Sequence, residues 1–324
     1  MKAAKIALIT GGALVGAGLV LGGITYALFG FDTVSLSTSK LVTNTFDVSE
    51  DFNDINIDCD IDDIIFEKSD DGKCKVVCFE EEKYPHSVDV EGGELKIGMK
   101  EKNRLRFNFG IQFQTPRTTV YLPKESYEDL VINSDTGDVK IPEDFSFKSV
   151  NFDLDTGDVE LKASAEGKIS IKTDTGDLSL SGIEAEEMTL SSDTGKIELT
   201  DVDIKGDLRV NEHTGDVTLK KVNCANFNTE GSTSDLSLTD VTATGKFDIK
   251  RSTGDVEFNN SDASEIEVRT STGDVSGSLA SDKTFITSSD TGDIKVPQGT
   301  SGGRCEISTD TGDIRISITV SGVV

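Results

Sequence analysis

The chain has no Trp, and its 324 residues include only two His, five Pro and five Cys. Without Trp there are no indole platforms on which sugar rings could stack. With only His86 and His213, imidazole catalysis has two possible seats. The Cys, at 59, 74, 78, 224 and 305, are odd in number and scattered, which excludes a disulfide framework. Cys59 alternates with Ile55, Ile57 and Ile61, and Cys305 alternates with Ile307, so both are expected to be small buried hydrophobes. Cys74 and Cys78 share a strand face with Val76. With no His or second Cys pair nearby in sequence, they are not expected to form a zinc site. Basic residues are also scarce: 32 Lys and Arg stand against 59 Asp and Glu, for a net charge of −27. Nucleic-acid partners need a basic footprint and are excluded on this ground.

What is present begins with an uncharged run from Ile6 to Gly30, 25 residues long, preceded by Lys2 and Lys5 and followed by the acidic remainder. A helix of about 20 apolar residues crosses a bilayer. The charge asymmetry then leaves the amino terminus in the cytoplasm and sends the rest outside. A cleaved signal peptide has a shorter apolar core, so an uncleaved anchor is expected. The chain divides into a tip and anchor (1–31), a Ser/Thr-rich linker (32–44), a strand-rich cap (45–123) and a repeat region (124–324). The partner expected of residues 6–30 is the lipid bilayer of a cell membrane.

The repeat is marked by a Thr at 136, 156, 175, 194, 214, 233, 253, 272, 291 and 311, at steps of 19 or 20 residues. The residue that follows is Gly137, Gly157, Gly176, Gly195, Gly215, Gly254, Gly273, Gly292 and Gly312 in nine copies, and Ser234 in the remaining one. Apolar residues alternate on both sides of each corner, as in Ile169-Ile171 before Thr175 and Leu178-Leu180 after it. Period-two alternation predicts two short strands per repeat, each with one buried face. The inward parity changes at the corner. Those nine glycines are therefore expected to be structural, each in a left-handed turn or bulge that absorbs one residue. A unit this small buries its apolar face only by stacking. The fold predicted is therefore all-β: a β-solenoid of about ten coils, with a cap at its amino-terminal end and Ile316, Ile318 and Val320 over the other.

Val120-Tyr121-Leu122-Pro123, then Leu130-Val131-Ile132 leading into Ser134-Asp135-Thr136-Gly137-Asp138-Val139, with the recurring Gly-Asp corners, resemble a known family. It is the adhesin-like β-strand-repeat domain of bacterial cell-envelope proteins. The resemblance spans roughly residues 45–324 and implies a β-solenoid, often with one membrane helix and in some relatives a link to envelope stress. The family has no assigned catalytic residues.

Three chemistries remain to be weighed. Asp-Thr-Gly also marks aspartic proteases, which need two carboxylates sharing a proton. Here it occurs six times, and His213, Ser232, Ser252 and Ser271 take the first position elsewhere, as a turn residue would. A polysaccharide-cleaving β-helix would need a cleft with a carboxylate pair or a basic residue. Basic and aromatic residues form no evident cluster in the repeats, and the breaks Lys196, His213, Ser234 and Gly277 lie in different coils. Calcium bridging a row of Asp138, Asp158, Asp177, Asp216, Asp293 and Asp313 is the one metal candidate. Its rival is a solvated acidic row whose carboxylates accept corner N–H bonds. No other cofactor is expected. The function expected is that of a non-enzymatic surface scaffold or adhesin-like module, with a cell-wall glycan or an envelope protein as partner. The alternative is a polysaccharide-active enzyme at the cell surface.

Overall fold

The computed structural model of the protein describes residues 40–99, 114–299 and 301–319. The anchor expected at 6–30 lies outside the described residues, as does Val320. Within them the chain is all-β: 28 strands join one hydrogen-bonded sheet wound into a solenoid of about nine turns. Ten Thr corners bound those turns, and all ten align in one ladder of parallel pairings from Thr136 to Thr291.

One coil illustrates how the sequence winds. Lys168–Thr175 sends Ile169 and Ile171 inward, the corner turns, and Leu178–Ser181 buries Leu178 and Leu180. A third inward face follows, which the two-strand reading missed: Ile183 and Ala185 at Glu184–Ala185. The next coils repeat it with Val202 and Ile204, then Val222 and Cys224. Each coil thus closes around a column of branched side chains that leave water together, which is the main driving force for stacking. Between the second and third faces the backbone is left-handed at Gly182, Asp201, Lys221, Asp240 and Asn260, with φ of +52° to +67°. Asp and Asn tolerate that conformation best, and the Asn260 amide donates to Asp240 Oδ1 at 2.7 Å.

The Thr-Gly corner differs from the left-handed turn expected of it. Gly137, Gly157, Gly176, Gly195, Gly215, Gly254, Gly273, Gly292 and Gly312 all have φ between +139° and +156°. That is far past the left-handed helical value of about +57°. The corner is thus a more extended kink, in a backbone state that essentially only glycine occupies. Its physical reason is the stacking itself. A Cβ on Gly157 would lie 2.0 Å from the carbonyl oxygen of Gly137 in the coil beneath, and the other eight corner glycines meet a neighbouring coil's backbone oxygen at 2.0–2.1 Å in the same way. The corner Asp then ties coil to coil. The N–H of Asp158 donates to Asp138 Oδ1 at 2.9 Å, and that of Asp177 to Asp158 Oδ1 at 2.7 Å. The Lys196 N–H in turn donates to Asp177 Oδ1 at 2.7 Å.

Both ends depart from the regular stack. At the amino-terminal end Asp54–Cys59 and Asp63–Lys68 already stack in parallel on the repeats, with Ile55 opposite Leu130 and Ile64 opposite Val139. Glu94–Met99 and Arg117–Leu122 extend this coil, and antiparallel strands His86–Glu91 and Cys74–Glu81 cover the outside. Leu41–Val48 pairs antiparallel with Cys74–Glu81, so residues 41–44 belong to a strand and not to a linker.

At the other end the coils are out of sequence order. Gly303–Thr311 pairs on one side with Val256–Thr272 and on the other with Lys283–Thr291. The last coil of the chain is therefore inserted beneath the one that precedes it. Ile316 and Ile318 lie inside the stack next to Gly277 and Leu279 instead of covering its end, which is formed by Lys283–Thr291 and Ile294–Lys295. Gly303 permits the insertion, since a Cβ there would lie 2.0 Å from Ser264 O. The buried ammonium of Lys283 reaches Asp262 Oδ1 at 2.5 Å, bracing the terminal coil to one two layers away.

Candidate functional site

The inward residue two before each corner Thr forms a column of its own: Ser134, Leu154, Thr173 and Ser192 in the first coils, Thr270 and Thr309 later. In the middle it breaks. Successive coils carry Glu212, Gly231 and Arg251, paired backbone to backbone in that order. The missing side chain at Gly231 leaves a gap into which Arg251 folds. A Cβ at Gly231 would lie 2.9 Å from Arg251 Cδ and 2.3 Å from Ser234 Oγ. Ser234, the one corner without glycine, thereby turns its hydroxyl into the same gap.

Over this gap lies an open groove of about 650 Å³, bordered by Asn211, His213, Glu230, Lys250, Arg269 and Asp310. Its floor is unusual for a protein interior, where buried polar groups are normally satisfied. Glu212 is 1% exposed, and neither carboxylate oxygen makes a hydrogen bond. Ser234 Oγ, Arg251 Nε and Thr270 Oγ1 are likewise unpartnered. The rest of the Arg251 guanidinium donates to Lys250 O and Thr229 Oγ1, both at 2.9 Å.

Burial pushes the Glu212 carboxyl up to about 7; the nearby Thr214 backbone, Ser234 and Arg251 temper that rise, and Asp216 adds to it. Burial lowers Arg251 to about 10, so it remains cationic at neutral pH. The groove therefore offers a fixed cation, a carboxyl poised between its two forms and a free hydroxyl. Above them lie Lys250, paired with Glu230 at 2.8 Å, and Arg269, paired with Glu267. Basic residues were not expected to cluster, yet Lys250, Arg251 and Arg269 come together here, interleaved with Glu212, Glu230 and Asp310. Such an arrangement can hold a polar ligand by hydrogen bonds and charge.

Of the breaks noted in sequence, His213 borders the groove and Ser234 turns its hydroxyl into the gap beneath it, while Lys196 and Gly277 are not among the residues lining the groove. Glu212, Gly231 and Arg251 were missed. Their signal was present as a departure from the small polar residues of one column. The corner carboxylates Asp138, Asp158, Asp177, Asp216 and Asp313 each accept a backbone N–H of the neighbouring coil, and the Asp293 N–H donates to Asp313. Among the described residues the groups that bring three metal-ligating atoms together lie elsewhere, in the cap: Cys59, Asp62 and His86, and Cys78, Glu80 and His86.

The profile of one protein family, Toastrack DUF4097, matches residues 52–212 and again 203–323. No curated protein matches the chain. Similar solved structures include a suspected adhesin of Bacteroides fragilis, 15% identical, covering 86% of this chain and 97% of that one, with a TM-score of 0.39. A suspected adhesin of Parabacteroides distasonis is 13% identical over 86% and 98% of the two chains, with a TM-score of 0.46.

Proposed function

Because the chain belongs to the Toastrack DUF4097 family, we propose that it is a non-enzymatic binding module displayed on the outside of a bacterial membrane. Residues 6–30 serve as its anchor and the groove over Glu212, Gly231 and Arg251 as its binding site. The observation that carries the reading is the break in the inward column, where Glu212, Gly231 and Arg251 replace small side chains and line an open groove of about 650 Å³. A hydroxyl-rich glycan chain offers acceptors to Lys250 and Arg269 and donors to Glu230 and Asp310 along the groove's border. A wall polymer passing the rod would meet the groove side-on.

The polysaccharide-cleaving alternative has one feature in its favour, a carboxyl near neutrality as a general acid requires. At 1% exposure, however, Glu212 sits below the floor and not beside a bound chain.

The test is co-sedimentation of the full chain with purified cell-wall glycan. Lys250→Glu with Arg269→Glu, both half-exposed and away from the core, should reduce retention at least tenfold while leaving the melting temperature within a few degrees. Retention equal to the parent would remove the groove from the account. Reducing sugar released from the same glycan would reinstate the enzyme reading. Protease shaving of intact cells should remove the repeat domain if the anchor is oriented as proposed.

A further inference from the structure

The cap holds a second break in the same inward column. Cys59 pairs with Ser134 and so occupies the position two before the corner in the first coil. Asp62 stands where later coils place the corner glycine, since its carbonyl is what a Cβ on Gly137 would strike. His86, at the start of an antiparallel strand, folds over both. Its Nε2 lies 2.8 Å from Asp62 Oδ2 and 3.6 Å from Cys59 Sγ. On the other side, Nδ1 meets Glu80 Oε2, whose second oxygen accepts the Asn44 amide. All four side chains are nearly inaccessible to solvent, at 1–2% exposure.

We propose that Cys59, Asp62 and His86 form a zinc-type site, with Glu80 as the carboxylate that orients the imidazole from behind. Three observations support it. Thiolate, imidazole and carboxylate are the donor set that zinc takes. The spacing fits: bonds of about 2.3 Å to sulfur and 2.0–2.1 Å to nitrogen at tetrahedral angles separate those donors by about 3.6 Å, as Sγ and Nε2 are here. The 2.8 Å Asp62–His86 contact would open by about 0.5 Å to match the same geometry. Finally, metal-binding His residues characteristically donate their other ring N–H to a carboxylate, which is what Glu80 accepts.

A small cavity of about 10 Å³, bordered by Asp62, His86, Tyr84 and Met99, adjoins two of the three donors. It has room for about one water, the fourth ligand such a site requires. Binding balances as an exchange. The metal ion displaces one proton from the Cys59 thiol and one from Nε2 of the His86 imidazolium, while Nδ1 keeps its proton toward Glu80. In the metal-free protein the imidazolium bridges two carboxylates and stands in for the cation. The site is independent of the groove, so either can fail alone.

The test is a competitive zinc titration of the full chain against a chromophoric chelator. One equivalent should bind saturably, with affinity rising as the pH is raised from about 6 to about 8, because the metal displaces protons from its ligands. Cobalt in place of zinc should give thiolate-to-metal charge-transfer absorption. Cys59→Ser, which keeps the cavity filled, should abolish that absorption and weaken zinc at least tenfold; its far-UV spectrum reports whether it is folded. Glu80→Gln should weaken zinc while keeping the absorption. Zinc uptake unchanged in folded Cys59→Ser, or cobalt bound without thiolate absorption, would mean that only the exposed acidic rows hold metal and would overturn the proposal.

Discussion

The coils turning at Thr175 and Thr194 and those turning at Thr214, Thr233 and Thr253 share nearly everything. All carry an apolar residue three after the Thr, and the Thr residues pair in register. They differ two residues before the Thr, where Thr173 and Ser192 give way to Glu212, Gly231 and Arg251. The first set closes its interior with small hydroxyls. The second opens a groove with unpartnered charged groups at its floor. The comparison separates two kinds of constraint. The winding is held by glycine geometry, inter-coil hydrogen bonds and the apolar columns. One inward position beside the corner is free to carry chemistry, because strand pairing there uses only backbone.

The comparison can be broken most forcefully at the corner itself. Gly157→Val places a branched side chain on a backbone at φ +156° and drives its Cβ into Gly137 O. Neither a rotamer change nor a side-chain shift relieves a backbone clash, so the loss should reach about 4 kcal/mol or more. A thermal melt checks it, and a wild-type melt would refute the account of the corner.

Glu212→Gln should act in the opposite direction and depend on pH. A carboxyl raised to about 7 by burial holds its proton in the folded state where the unfolded chain, near its ordinary value of about 4.3, has released it. Stability therefore falls as pH rises through that window, and the deficit persists above it. The Gln variant should be more stable than the parent by about 1–3 kcal/mol at pH 8. The gain should vanish near pH 4, as read from denaturation midpoints across pH. Gly231→Ala is smaller again. The neighbours its Cβ meets are side chains, those of Ser234 and Arg251, which can shift, so a loss of about 1–2 kcal/mol is expected. Adding Ser234→Gly should recover most of that loss. Asp155→Asn, exposed on the outer face, should stay within about 0.5 kcal/mol.

The winding was legible because each of its causes leaves a mark in sequence. Thr136 through Thr311 keep the spacing, Gly137 and its equivalents mark the strained corner, and Leu178 and its equivalents mark the buried face. The exact backbone state of that corner was not legible, because the oxygen each glycine must clear belongs to another coil. The third face was less visible: Val202 with Ile204 alternates plainly, but Ala163 and Ala185 are small and Ser261 is polar, so the pattern does not recur in every coil. The inverted order of the last two coils could not be read. Thr291 and Thr311 carry the same corner, and either could stack on Thr272. Short Gly-containing segments, not strand patterns, decide the order, notably Gly302 and Gly303 beside Lys283 and Ser264. Cys59 looked like a hydrophobe because its strand alternation is regular. Only the return of His86 across the cap, 27 residues later, gives it a polar neighbour. Glu212 and Arg251 were hidden for a related reason. Their column already mixes Leu154 with hydroxyls, so the departure gains meaning only once the coils are stacked.

If the groove residues are chemistry written onto a fold that does not need them, then making the column regular should improve the fold and abolish binding. The variant is Glu212→Ser, Gly231→Thr, Ser234→Gly and Arg251→Thr together, which gives the middle coils the column and corner of their neighbours. At pH 8 it should melt above the parent and no longer sediment with cell-wall glycan. A variant that melts below the parent would show that the charged column is part of what holds the coils together. One that still binds the glycan would place the binding surface elsewhere on the rod.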